Sequence, residues 1–138
     1  MKVLFHHEQF DRDVSSGTLH AAYQWVDTLR SFGITEAAVL NLSDDPWPHS
    51  INLDIAIEEF STIAAFQAAH PDDVVIGSAA SAPDGYRGFD YSAGDWIYIG
   101  GTTVTGLPCD YPVSIATFEG RELYPREAAA IILAEALL

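Results

Sequence analysis

Apolar positions along this chain fall into two rhythms that alternate from one end to the other. The first is the short unbroken run: Val3-Leu4-Phe5, Ala37-Ala38-Val39-Leu40, Val74-Val75-Ile76, Trp96-Ile97-Tyr98-Ile99 and the stretch Val113–Thr117. Runs of this length without polar alternation predict strands buried on both faces. The second rhythm is helical. Asp13–Thr18 offers several N-caps to a helix reaching about Phe32, and Gly33 suits its C-cap. Along it Leu19, Ala22, Tyr23, Val26, Leu29 and Phe32 recur at three- and four-residue spacing, which predicts one buried face. Ser61 caps a short helix through Ala69 that His70-Pro71 ends. Pro125 sits where a first helical turn tolerates it, and Glu127–Leu138 runs on without a breaker.

The remaining segments fill in the order. Lys2–Phe5 and Ala37–Leu42 are the first two strands, and Ile51–Ile57 alternates apolar with polar or small residues and predicts another. Ser43–Ser50, with two prolines, is a loop in which Trp47 packs down. Ala79–Gly94, rich in Gly, Ser, Ala, Pro and Asp, predicts a loop with about one turn of helix. Strand and helix therefore alternate throughout. That pattern predicts a single α/β domain over residues 1–138, with a mostly parallel sheet and helices on both faces.

Composition changes this picture in one respect. Twenty acidic residues against six basic ones give a formal charge of −14, and Lys2, Arg12, Arg30, Arg87, Arg121 and Arg126 are scattered. Binding through phosphate contacts needs clustered Lys and Arg, so nucleic acid is not an expected partner. The acidity serves solubility, or it presents a surface to a basic partner. No signal-peptide pattern and no apolar stretch of the ~20 residues a membrane span requires are visible, which predicts a cytoplasmic protein away from the membrane. A single cysteine, Cys109, excludes a disulfide framework and a multi-cysteine zinc site.

Several side chains are candidates for chemistry. His6 and His7 close the first strand, but neighbours on a strand point to opposite faces and cannot share one metal. A loop histidine beside a packed one is the plainer expectation, and no metal site is expected. His20, on the first helix turn, is the best-placed general base, although a solvated helix-start histidine has the same sequence. Ser15, Ser16 and Thr18 around Gly17 can hold an anion or act only as caps. Asp44, Asp45 and His49 lack the spacing of a calcium loop. Cys109 has no basic neighbour in sequence to activate it. Tyr86, Arg87, Phe89 and Tyr91 form either a binding lid or a cover on the sheet edge.

The most informative segment joins a strand to glycines. Trp96–Ile99 leads directly into Gly100-Gly101-Thr102-Thr103-Val104-Thr105-Gly106-Leu107-Pro108. Glycines just past a strand allow positive φ and let a ligand approach bare backbone.

This layout resembles the knotted methyltransferases of the SPOUT superfamily, and within it the small stand-alone tRNA ribose methyltransferases. Those open with a short strand and a glycine-containing loop into a long helix, as Val3–Phe5 and Ser15-Ser16-Gly17 do here. They carry a strand followed by Phe-Gly-Pro-Glu-x-x-Gly-Leu-Pro, where this chain has Ile99 to Pro108, one residue longer. A further short strand, Val113-Ser114-Ile115, then precedes a last helix in the place of Arg121–Glu135. The resemblance implies a C-terminal trefoil knot, a homodimer built partly on Ala130, Ile131, Leu133, Ala134 and Leu137, and a pocket for S-adenosylmethionine. By that resemblance the cofactor-binding residues are Ile99, Gly100, Gly101, Thr102, Thr103, Gly106, Leu107 and Ile115.

The departures are equally informative. The family places an arginine on the opening turn of the first helix, where Thr18-Leu19-His20-Ala21 stands here. Thr102 or Thr103 replaces the glutamate of its second motif, and Glu122–Glu127 replaces a Ser/Asn-rich loop. The adenosine framework is kept while the polar groups for an RNA ribose are not. The leading expectation is a SPOUT-like protein that binds an adenosine-type small molecule, with eroded RNA-methyltransferase residues. One alternative is an active methyltransferase on an unusual substrate, with His20 and Arg126 as catalytic or positioning groups. The other is an acidic interaction or inhibitor protein that binds a basic partner without a cofactor.

Overall fold

The computed structural model describes residues 1–7, 17–100, 109–121 and 123–138, with only the backbone of Gly17 and Thr18. In chain order the elements are β1 (Lys2–His7), α1 (Gly17–Ser31), β2 (Glu36–Asn41), β3 (Ala56–Phe60), α2 (Ile63–Ala69), β4 (Val75–Ser78), β5 (Trp96–Ile99), β6 (Tyr111–Val113) and α3 (Pro125–Leu137). The strands form one sheet in the order β3-β2-β1-β5-β4-β6, and every pair is parallel. Helix α2 covers one face, while α1 and α3 pack together on the other. Among the described residues no helix is long and apolar enough to cross a membrane.

Strand parity sorts the core into two layers. Val3, Phe5, Ala37, Val39, Ile76, Ile97 and Ile99 face α1 and α3, where they meet Trp25, Leu29, Ile132 and Leu133. Leu4, Ala38, Leu40, Val75, Trp96 and Tyr98 face the other way, toward Phe66 of α2. All four residues of β5 are buried, as the unbroken run predicts.

Several details differ from the sequence reading. The cap of α2 is Thr62, whose hydroxyl accepts from the Ala65 N–H at 3.1 Å, and not Ser61. The inner face of α1 is Ala22, Trp25, Val26 and Leu29, while Leu19 and Tyr23 are 51% and 50% exposed. Trp25 decides this, because its indole stacks on Phe5 with ring centroids 4.4 Å apart. The alternating stretch Ile51–Ile57 is not one strand. Asn52 is buried, accepts a hydrogen bond from the Trp47 indole at 2.8 Å and closes a turn with Ile55, so β3 begins only at Ala56. Likewise β6 ends at Val113, because Ser114 bridges Gly85 in the preceding loop.

At the carboxyl ends of β1 to β3, one carboxylate organises the loop. Glu59 accepts hydrogen bonds from the Asn41 amide at 2.7 Å and the Trp47 backbone N–H at 3.0 Å, and pairs with His49 at 3.1 Å. Burial alone would raise the Glu59 carboxyl, but these hydrogen bonds and the His49 charge outweigh it and hold it below the usual range. Trp47 is thereby pinned down, 2% exposed, edge-on to both Phe5 and His7. His6 and His7 are both buried in β1, so neither is a loop histidine. They point to opposite faces, His6 toward Tyr98 and His7 toward Trp47. Among the described residues neither ring nitrogen of His7 has a hydrogen-bond partner. Burial pushes its pKa below the ordinary value, and the Glu59 and Asp45 carboxylates pull it partly back.

Two outcomes are expected. Trp25→Ala removes a buried indole and should cost about 3–5 kcal/mol in urea unfolding, whereas Leu19→Ala on the exposed side should stay within about 0.5 kcal/mol. His7 should make stability fall with acid. Its folded pKa lies below the unfolded value of about 6.5, so the unfolded chain takes up the proton first. The contribution is intact above that pH and is lost as pH falls through it toward the folded value. Unfolding free energies between pH 8 and 5 should show a smaller acid loss for His7→Leu than for the parent chain; equal slopes would contradict this.

Candidate functional site

Parallel strands place all their carboxyl ends on one side, and the chain changes direction between β1 and β5. Strand β1 connects outward to β2, whereas β5 connects past β4 to β6. Open α/β sheets take their ligands at the carboxyl edge of such a switch point. The described residues along that edge are His6 and His7 of β1, Ile99 and Gly100 after β5, Gly77 and Ser78 of β4, and Val113 with the residues after it.

Strand β4 and the segment leading into β6 approach each other very closely. A Cβ on Gly77 would stand 1.9 Å from the Cys109 Sγ, so only glycine fits. Next to it, Asp110 clamps the start of β4: its carboxylate accepts from the Val75 N–H at 2.8 Å, and its own N–H donates to the Val75 carbonyl at 2.9 Å. Burial, with Asp110 adding to it, pushes the Cys109 thiol up to about 11. That favours the protonated thiol at neutral pH.

Beyond β6 the backbone is already engaged. The Val113 carbonyl accepts from Ala79 N–H at 2.9 Å, the Ser114 carbonyl accepts from Tyr86 N–H at 2.8 Å, and the Ser114 N–H donates to Asp84 at 2.9 Å. Ile115, half-buried, is the first residue past this ladder. The loop of residues 79–94 thus adds an edge to the sheet, and its aromatic residues are anchored on it. Tyr91 is buried, its hydroxyl donates to the Tyr86 carbonyl, and burial beside Glu135 raises its pKa to about 12. Tyr86 and Phe89 lie half-buried against the core, and Arg87 rests over the Tyr86 ring at 5.7 Å. The cluster therefore covers the sheet edge.

Of the sequence candidates, Ile99, Gly100 and Ile115 lie along this carboxyl edge. Gly101, Thr102, Thr103, Gly106 and Leu107 lie outside the described residues, as do Ser15, Ser16 and the threading that would define a knot. His20 is exposed on α1 and its Nε2 lies 2.9 Å from the Gln24 amide. Arg126 is half-buried in the first turn of α3, where the Tyr124 N–H donates to Glu127 at 3.1 Å and closes the cap. No contact between His20 and Arg126 is present among the described residues. Nor does any group of three His, Cys, Asp or Glu side chains form a metal-binding arrangement there.

The sequence reading missed a buried pair at this edge. The Tyr98 hydroxyl and His6 Nε2 are 2.6 Å apart, joined across 92 positions. Shared parity with Leu4 is the one signal that could have placed His6 on that face. The opposite end of the sheet carries an open depression of about 620 Å³ lined by Asp27, Arg30, Gly33 and Asp54 among others. There Arg30 and Asp54 pair in solvent at 3.4 Å, which offers little chemistry.

No protein-family model and no curated protein sequence match the chain. Solved structures do match. The SpoU methyltransferase AviRb from Streptomyces viridochromogenes, in complex with AdoMet, is 21% identical with a TM-score of 0.71, over 99% of this chain. The chain spans 59% of AviRb's length. The TrmH/SpoU tRNA modifying enzyme of A. aeolicus is 16% identical with a TM-score of 0.70, over 99% of this chain and 73% of that one. A structure described for 2-OH methylation of C/U34 on tRNA is 14% identical with a TM-score of 0.74, over 98% of this chain and 87% of that one. The chain is an α/β domain with the SPOUT fold of the SpoU/TrmH RNA methyltransferases.

Proposed function

We propose that the chain binds an adenosine-type small molecule, S-adenosylmethionine being the natural choice, at the carboxyl ends of β5, β4 and β6. One observation carries this reading: the fold matches, over 99% of the chain, a methyltransferase solved with AdoMet. The residues on this edge suit such a ligand. Gly100 presents backbone without a side chain, and the half-buried Ile115 supplies apolar surface on the same edge, with Ile99 packed in the core beneath. When bound, S-adenosylmethionine would supply a methyl group on a sulfonium.

The chain's own residues favour binding over RNA methylation. Methyl transfer to a ribose asks the protein to align the hydroxyl and remove its proton. The arginine the resembled family uses at the start of its first helix is replaced by Thr18-Leu19-His20-Ala21, and His20 is turned to Gln24 on the helix surface. Arg126 is left as the nearest basic group on α3. A charge of −14 adds repulsion for a polyanionic substrate. An acceptor other than RNA, aligned by Arg126 or His20, is the version of this reading that retains catalysis. The same charge is what favours a basic protein partner, should no cofactor bind.

We also propose that two copies associate through α3. Its inner residues Ala128, Ala129, Ile132 and Leu133 are buried within the fold, so Leu133 belongs to the core and not to the expected dimer face. Ala130, Ile131 and Ala134 remain half-buried, Leu137 is 38% exposed, and Tyr124 before the helix is 73% exposed. That outward stripe is apolar surface that a second copy would cover.

Two measurements test these readings. At ~100-fold excess over Kd, S-adenosylmethionine or S-adenosylhomocysteine should add about 2.7 kcal/mol and raise the thermal midpoint by roughly 5–10 °C. No shift with either at millimolar concentration removes the cofactor, and salt-sensitive association with a basic protein becomes the function to pursue. Sedimentation should give the mass of two chains for the parent protein and of one for Ile131→Asp. A parent protein that sediments as one chain dismisses the dimer.

A further inference from the structure

The face of the sheet under α2 ends in a pair of side chains that the reading above leaves unused. His6 and Tyr98 are 0% and 2% exposed, and the Tyr98 hydroxyl lies 2.6 Å from His6 Nε2. Their strands are the two neighbours of the switch point, in register at Leu4↔Tyr98 and Phe5↔Ile99. The bond therefore ties the carboxyl end of β1 to β5 where the chain reverses direction.

The Tyr98 ring lies between two positions without side chains. It pairs with Gly77 on β4, where a Cβ would stand 3.5 Å from Tyr98 Cδ1. A Cβ on Gly100 would stand 3.1 Å from the Tyr98 hydroxyl oxygen and 3.4 Å from Cζ. The phenol oxygen is thus laid against the residue at which β5 stops and the ligand edge begins. A phenylalanine would fill nearly the same volume. The hydroxyl adds a buried polar atom that must be partnered, and His6 fixes the direction of that partnership.

We propose that Tyr98, oriented by His6, is a positioning residue that sets the backbone at Gly100 against the ligand and thereby sets ligand affinity. This rests on the adenosine reading of the site. The pair makes no contact with reacting atoms; it acts through Gly100.

Titration calorimetry with S-adenosylhomocysteine, which cannot be turned over, tests it alongside melting of the ligand-free chains. Tyr98→Phe should weaken Kd by about three- to tenfold, the equivalent of one buried hydrogen bond. Tyr98→Phe removes one hydrogen bond of the His6 ring, so its melting midpoint should also fall. Phe66→Leu, in the core of the same face but on α2, should lower the midpoint without touching Gly100. Under the positioning role only Tyr98→Phe weakens Kd, while Phe66→Leu keeps the parent affinity. If both variants weaken Kd alike, or if Tyr98→Phe leaves it unchanged while the parent chain binds, the pair is only structural and the proposal is overturned. A parent chain that does not bind S-adenosylhomocysteine removes the adenosine reading itself, and this inference with it.

Discussion

Strand β5 is the constraint from which the rest of this molecule is arranged. Its four residues are buried, with Ile97 and Ile99 under α1 and α3, and Trp96 and Tyr98 on the face that α2 covers. It takes β1 on one side and β4 on the other, so both halves of the sheet hydrogen-bond to it. A strand enclosed in this way cannot shift register by one residue without turning both core layers inside out. Its carboxyl end is correspondingly fixed, and whatever departs from Gly100 departs from a rigid point. The same enclosure explains the bare positions nearby: Tyr98 and Cys109 fill the space over Gly77, and no further atom fits.

What was readable in the chain follows from how local each determinant is. Strand β5 and the start of α3 at Pro125 appear where the apolar run and the proline put them. The parallel sheet with helices on both faces also follows from strand–helix alternation, since parallel neighbours require crossovers. The errors are all tertiary in origin. The buried face of α1 rotates toward Trp25 because Phe5, from another element, offers it a stacking partner. The third strand starts late because Asn52 is spent on the Trp47 indole. The last strand stops early because Asp84 and Tyr86 take the hydrogen bonds of Ser114. At the candidate site Ile99 and Gly100 follow from the strand–glycine pattern, while Ile115 rests on the family resemblance alone. The His6–Tyr98 bond could not, since no short-range rule pairs residues 92 positions apart.

Fold and charge point in different directions. Solved structures with this fold include RNA-modifying enzymes, while the chain carries twenty acidic residues and six basic ones. Several of the acidic groups do structural work although they face solvent. Asp110 clamps β4, Glu59 gathers a loop, and Asp95 accepts from the Val74 N–H at 2.7 Å. Asp73 accepts from the Trp96 indole at 2.8 Å and faces Lys2 and His70. The indole hydrogen bond outweighs burial in holding its carboxyl below the usual range, with help from those two charges. Carboxylates bonded to backbone N–H groups and indoles are hard to exchange for lysine. Part of the acidity is therefore built into the scaffold, and a change of substrate class could be accommodated only on the exposed remainder.

The pairing of β1 with β5 also governs how the chain can be assembled in time. Strand β1 has as one of its two sheet neighbours a strand that begins only at Trp96. Until that residue has left the ribosome, one edge of β1 is an unpaired parallel edge, apolar on both faces. Parallel pairings this distant are slow to close, because the intervening loop entropy is lost before the contacts that offset it form. During that interval the exposed edge of Val3–Phe5 is open to pairing with other chains. Strand β1 thus needs protection during synthesis, although in the finished fold its residues Val3–His7 are buried.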